Sequence, residues 1–315
     1  MRLFLKIVLL GAIVGLFSCE KISQPSKDAN WWIRRGIDYS GIKYIEEGYN
    51  GPSSIGMVVT AAFTYNRNGT CASKKYPTMG EEHLYSYNDD GSLAKDLLYE
   101  NTTLVETVEY EYNNTGRYVP RIDDNASVSM DGLTPNLSKI TYSYNGALWR
   151  VEEFSFDGDI LKIVISTYQN GKQDSQKEYK VEYKGAYPYK CQTNSYFIES
   201  ISYQENGMFD TVIEGYVSSF DGDITRITSK FVKGRNDKNL FETIISEEPE
   251  RSFVTRYSYN EHGDYLEITN EESKYGKTSV VTDKAEYEYD SRGNWVKRRV
   301  DSHVPEITIR NIEYY

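Results

Sequence analysis

The chemistry open to this 315-residue chain begins with its carboxylates. The string Phe-Asp-Gly-Asp-Ile occurs twice, at residues 156–160 and 220–224, and each copy sets two acids beside one tight turn. Paired acids of this kind bind calcium or flank a glycosidic bond. Hydrolysis would need Asp157 and Asp221 to converge in one cleft with shifted pKa values, and nothing local brings them together. Asp-Gly at a hairpin tip also has its own structural cause, because a two-residue type I′ turn favours that pair. Neither string supplies the roughly six to eight oxygens that calcium prefers. The expectation is therefore a turn, and a carboxylate-dependent hydrolase stands third among the functional readings.

The remaining reactive types are equally dispersed. His83, His262 and His303 have no second His or Cys at metal-ligand spacing, which reads as surface histidines. Gly276-Lys277-Thr278 ends like a phosphate-binding loop, but Glu271 stands where that motif demands glycine. Ser53 and Ser54 between Gly51 and Gly56 lack the spacing of a nucleophile elbow. No catalytic residue, metal ligand or cofactor-binding residue is assigned, and no cofactor is expected.

What the chain does carry is aromatic surface, with 29 Tyr and four Trp. Amphipathic rings can stack on sugars or grip a peptide at low entropic cost. Most tyrosines are expected to be structural, for the reason given next. The candidates for a ligand platform are the tryptophans Trp31, Trp32, Trp149 and Trp295, with Trp31 and Trp32 foremost because they fall outside the repeat frame.

That frame is an internal repeat, aromatic-x-Tyr-Asn/Asp-x-x-Gly, found at residues 63–69, 85–91, 110–116, 257–263 and 287–293. Two aromatics a dipeptide apart share one face of a strand, as Tyr110 with Tyr112 and Tyr287 with Tyr289. Val108 and Ala285 extend those faces backward, and Ile140, Tyr142 and Tyr144 repeat the alternation. The Asn or Asp suits the first position of a type I turn, and the glycine suits the last, where a positive φ is needed. Shorter turns follow Tyr144-Asn145-Gly146 and the two Asp-Gly strings. The pattern predicts roughly 15 to 20 short strands in an all-β antiparallel meander. A lone hairpin is marginal in water, so neighbours must share a sheet that curls into a shell or sandwich.

The N-terminus reads as a signal peptide over residues 1–18, with Arg2 and Lys6 before an apolar run too short to span a bilayer. Leu16-Phe17-Ser18-Cys19 resembles the lipobox of bacterial lipoproteins, which implies lipid attachment at Cys19 and an anchor in the cell envelope, at the outer membrane on its periplasmic or external side. Residues 19–50 are assigned to a tether and N-terminal segment and residues 51–315 to the β domain. Loss of Arg2 and Lys6 takes the formal net charge from −11 to −13, which argues against nucleic acid as a partner. Cys71 and Cys191 are expected to be two separate packing cysteines. Residues 119–137 break the repeat as a long loop or inserted excursion, and the charged stretch 234–251 matches no element.

The copies, above all Tyr287-Glu288-Tyr289-Asp290-Ser291-Arg292-Gly293-Asn294-Trp295, resemble the YD repeats of the RHS family, whose motif is Tyr-Asp-x-x-Gly in tandem hairpins. Together with Cys19 and the ending at residues 307–315, the chain looks like the YD-repeat lipoproteins of Bacteroidetes. The resemblance implies a shell-like β scaffold and surface exposure, and no reaction. The leading expectation is an envelope lipoprotein presenting a binding surface to carbohydrate or protein, the membrane being met through the anchor. The alternative is a structural component of an envelope assembly. Oligomeric state is not legible.

Overall fold

The computed structural model describes residues 39–50, 57–122, 128–192, 196–203, 209–220, 223–235, 241–248, 250–302 and 306–315. They form strands without helices, in the order β1 (Ile42–Asn50), β2 (Met57–Tyr65), β3 (Cys71–Tyr76), β4 (Glu81–Tyr87), β5 (Leu93–Glu100), β6 (Thr103–Tyr112), β7 (Tyr118–Ile122), β8 (Val128–Pro135), β9 (Leu137–Tyr144), β10 (Ala147–Asp157) and β11 (Ile160–Gln169). There follow β12 (Lys172–Lys184), β13 (Tyr187–Gln192), β14 (Tyr196–Tyr203), β15 (Phe209–Phe220), β16 (Asp223–Arg235), β17 (Phe241–Glu248), β18 (Arg251–Tyr259), β19 (Tyr265–Lys274), β20 (Lys277–Tyr289), β21 (Trp295–Asp301) and β22 (Glu306–Tyr314). The expected all-β antiparallel meander is what forms. Each strand pairs with the next in sequence except where β6 skips to β9, and β1 pairs β22 as well as β2. The strands with described side chains, β17–β22, β1–β6 and β9–β13, make one open arc of 17, and backbone pairing continues from β13 through β14, β15 and β16 to β17. β1 belongs to this sheet, so the β domain begins earlier than residue 51.

The repeat motif is a bulged hairpin. In four copies the glycine N–H donates to the carbonyl of the Asn or Asp three residues back: Gly69 to Asn66 at 2.9 Å, Gly91 to Asn88 at 2.9 Å, Gly263 to Asn260 at 3.0 Å and Gly293 to Asp290 at 3.1 Å. Each of these glycines has φ near +80°, the left-handed region that costs a side-chain-bearing residue. The Asn or Asp side chain accepts from the backbone two residues on, at 2.9 Å in both His262 to Asn260 and Arg292 to Asp290. The register slips by one beside Tyr65, Tyr87, Tyr259 and Tyr289, the bulge that a three-residue hairpin loop produces. In a meander alternate turns point the same way, so a motif once every two strands puts these turns on one rim. The two-residue turns at Asn145-Gly146, Asn170-Gly171 and Tyr275-Gly276, with both φ positive, lie on the other.

The Asp-Gly string at residues 156–160 does form a two-residue hairpin, one position later than expected. Asp157 pairs Ile160, so the loop is Gly158-Asp159, with glycine first at φ 59° as a type II′ turn requires. The side chains of the second string lie outside the described residues.

Residues 119–137 are an excursion with structure of its own. β7 and β8 form a separate two-stranded sheet, and Val119 and Leu133 are fully buried. Val119 joins a core with Val108, Tyr110, Ile140, Phe154, Leu161, Ile163, Val181 and Cys191 from the inner face of β6–β13. Smaller cores gather Ile42, Ile45, Phe63, Tyr65 and Cys71 on β1–β3, and Tyr265, Ile268, Ala285 and Val300 on β19–β21. The alternation expected of β6 and β20 holds: Val108, Tyr110 and Ala285 are buried while Glu109, Glu111, Glu286 and Glu288 are exposed. Cys71 and Cys191 are both buried and free, as separate packing residues. Burial pushes the Cys71 thiol up to about 12 and Cys191 up to about 11.

Candidate functional site

The tyrosines tie one repeat to the one before it. The Tyr87 hydroxyl donates to Cys71 O at 2.6 Å and the Tyr112 hydroxyl to Leu93 O at 2.8 Å, in both cases two residues past the preceding copy's glycine. Tyr289 accepts from Asn260 Nδ2 at 2.5 Å and donates to Asp264 Oδ2 at 2.9 Å, spanning the fourth copy's turn. Tyr314, in the last strand, treats the fifth turn alike, accepting from Asn294 Nδ2 at 2.8 Å and donating to Asp290. The Tyr315 hydroxyl closes back on Tyr65 O at 2.5 Å. Ring and hydroxyl are thus both engaged in holding hairpins together, which is the structural role expected for most of these residues.

The tryptophan platform fares differently. Trp295 is 5% exposed, and the Arg310 guanidinium lies 3.1 Å from its ring centroid. Arg310 is held in turn by Glu47, at 2.7 and 2.8 Å. This corrects the sequence expectation: the bulge after Tyr289 sets Trp295 on the inner face, where a flat cation covers it. Trp149 is half-buried and packs at 5.6 Å from Tyr142, beside the buried Arg150–Glu152 pair. Trp31, Trp32, Cys19, His303, Ser53 and Ser54 lie outside the described residues, as does Asp221. Asp159 is engaged by Arg117 at 3.0 Å. That arginine also covers the rings of Phe156 and Tyr183 and bonds Gly158 O at 2.7 Å, so it clamps the excursion's base to the β10–β11 hairpin.

Of the polar groups that do converge, the sequence pointed only to His83, and as a surface histidine, whereas it is part-buried against Asp96. Register places Lys74 on β3 opposite His83 on β4, and Asp96 on β5 opposite Tyr85. His83 Nδ1 lies 3.0 Å from Asp96 Oδ1, and its ring stacks 5.9 Å from Tyr85. Lys74 Nζ sits 4.6 Å from the Tyr76 centroid and 5.9 Å from that of Phe63. Burial pushes the Lys74 ammonium down to about 8, against the opposing pull of Cys71, Glu47 and Asp96. Further along the same face Glu106 stands opposite Leu98, and the exposed Tyr144 opposite Glu106. The arrangement is a patch in which a part-buried His–Asp pair, a carboxylate and the exposed Tyr144 ring share a face with the buried Lys74 amine, able to hydrogen-bond a polar ligand and stack on it. Local sequence holds no trace of it, because its charged and polar members Lys74, His83, Asp96 and Glu106 come from four successive strands.

The opposite face meets water. It carries cross-strand ion pairs Lys75–Glu82, Lys95–Glu109, Lys139–Glu111, Lys162–Glu178, Lys284–Glu267, Lys297–Glu288 and Lys43–Glu313. Lipid-facing strands carry apolar side chains there instead.

No family model matches the chain, and no curated protein matches it. Among solved structures it is similar to the Photorhabdus luminescens Tc holotoxin pore, with 10% identity and a TM-score of 0.31 over 80% of this chain, which spans 16% of that one. It is also similar to porin-like proteins of Bacteroides vulgatus and Bacteroides uniformis, each at 10% identity and over 87% of this chain. These cover 98% and 97% of the porin-like chains, with TM-scores of 0.29 and 0.26. The likenesses are weak ones, between β-rich proteins.

Proposed function

We propose that the chain is a cell-envelope lipoprotein, anchored through Cys19, whose repeat sheet is a scaffold presenting a recognition surface to glycan or protein. The observation that carries this reading is the inner-face patch of Lys74, His83, Asp96, Glu106, Tyr76 and Tyr144. It sets hydrogen-bonding groups and rings side by side on a face whose repeat tyrosines are already committed to the scaffold. The lipobox-like segment before Cys19 supports the location, and the acidic net charge favours neutral or basic partners.

Glycan arrays and pull-downs with the anchored protein test it. Binding that is lost in His83→Ala and in Asp96→Asn, with the circular dichroism spectrum unchanged, is the expected result. An absence of any ligand together with turnover of a substrate would overturn it.

A further inference from the structure

Several strands with described side chains run out beyond one of their neighbours, as residues 57–61 of β2 do beyond β3, and β12 and β20 do so over the longest stretches. β19 pairs residues 277–284 of β20, whereas β21 pairs only residues 284–289. Among the described residues, 277–283 therefore have backbone partners on one side alone. β12 is built alike: β11 pairs its residues 172–182 and β13 only 181–184. Open edges invite another strand unless something blunts them. On β12 the open edge carries Lys172, Asp174, Lys177, Glu178 and Lys180, charges that do so. On β20 it reads Thr278, Ser279, Val280, Val281 and Thr282, without a charge, and Val280 and Val281 are 58% and 55% exposed. β-branched side chains are strand formers, which leaves this edge a good template.

We propose that residues 277–283 of β20 pair antiparallel with the same residues of a second copy of this chain. The occupant follows from the edge's own sequence. With Val280 opposite its counterpart, Thr278 faces Thr282, Ser279 faces Val281, and Lys277 faces Asp283. An antiparallel pair places directly opposite residues on the same face, so the two ends of the segment form an ion pair each. A strand of arbitrary sequence would not meet this charge pattern at both ends. The contact is two-fold symmetric and closes at the dimer. It is independent of the glycan or protein reading, since none of the patch residues takes part.

The test uses the full chain in the cell envelope, with Val280→Cys at the symmetric centre and Gln176→Cys on the blunted β12 edge as the control. Opposed residues of an antiparallel pair lie within disulfide reach, and the native Cys71 and Cys191 are buried. Mild oxidation should give a disulfide dimer with Val280→Cys in about ten-fold excess over the control. Adding Lys277→Glu, which sets like charges opposite at both ends, should reduce the dimer about ten-fold. The exchange Lys277→Asp with Asp283→Lys should restore it. Lys277, Val280 and Asp283 lie on the outer part of β20, the first two exposed and Asp283 half-buried, and Gln176 is exposed on β12; circular dichroism verifies folding. Crosslinking no greater than the control, charge changes without effect, or capture of a different protein in place of a second copy would each overturn the proposal.

Discussion

Four of the five repeat turns close on themselves, and the third opens to admit nineteen residues between Gly116 and Asn136. The two kinds are otherwise the same device. In the closed copies the N–H of the Asn or Asp donates to the carbonyl one residue past the glycine, as Asn66 to Thr70 at 2.8 Å. In the open copy Asn113 donates to Asn136 at 2.7 Å, and the register slips beside Tyr112 as it does beside Tyr65. Asn136 thus stands where Thr70 stands, and Gly116, φ +70°, turns its N–H to Asn136 Oδ1 at 2.7 Å. The hairpin survives the insertion because its defining contacts lie in the flanking strands. The excursion is itself well buried at two positions, Val119, which joins the core of β6–β13, and Leu133, both fully enclosed.

Removing residues 117–135 and joining Gly116 to Asn136 would convert the third turn to the closed kind. The largest expected effect lies here: loss of Val119 and Leu133 from full burial should destabilise the protein by about 3 to 6 kcal/mol, read as a fall in the urea midpoint. An unchanged midpoint would mean the excursion rests on the sheet without stabilising it.

A finer contrast lies among the closed turns. Gly69 and Gly91 share φ +83°, yet a Cβ on Gly69 would meet Ser40 N at 3.0 Å whereas one on Gly91 meets open space. Gly91→Ala should cost about 1 kcal/mol of backbone strain, and Gly69→Ala more, since backbone must also shift. Equal losses in thermal unfolding would count against that packing.

Next come the tyrosine ties. Tyr289→Phe removes the hydroxyl shared by Asn260 and the buried carboxylate of Asp264, at about 1 to 3 kcal/mol. Tyr112→Phe removes one bond to a carbonyl and should cost about 1 kcal/mol. Denaturant titration of the two variants compares the tie across the fourth turn with the tie that the open repeat makes back to the second.

The smallest effect is a slope. The Lys74 amine is lowered from 10.5 to about 8, so above pH 8 the unfolded chain binds the extra proton and stability rises with pH. The buried thiols, both raised from 9.0, act in the opposite sense above pH 9. Between pH 8 and 9 the Lys74 contribution should therefore stand out, and Lys74→Met should abolish the rise. A wild-type stability that falls across that window would contradict the burial of this amine.

How much could be read beforehand follows from the range of each interaction. The turn at Asp290 was legible because its determinants, a side-chain acceptor and a glycine three residues later, lie within one heptapeptide, and the paired faces of Tyr110 and Tyr287 follow from the two-residue period of a strand. The turn at residues 156–160 sits one residue later than the Asp-Gly pair suggests because the inward faces of β10 and β11 set the register across the hairpin, and Gly158-Asp159 then suits a type II′ turn. Trp295 looked available until Arg310, arriving on the final strand, covered it.

Sequence by itself determined the strands, their bends and the face each tyrosine takes, since all of these are settled by neighbours a few bonds away. Only the tertiary structure decided which polar groups meet, which tryptophan is covered and which strand edge is left open. Those depend on register between strands, and register is set by the cumulative slip of every bulge and turn before it.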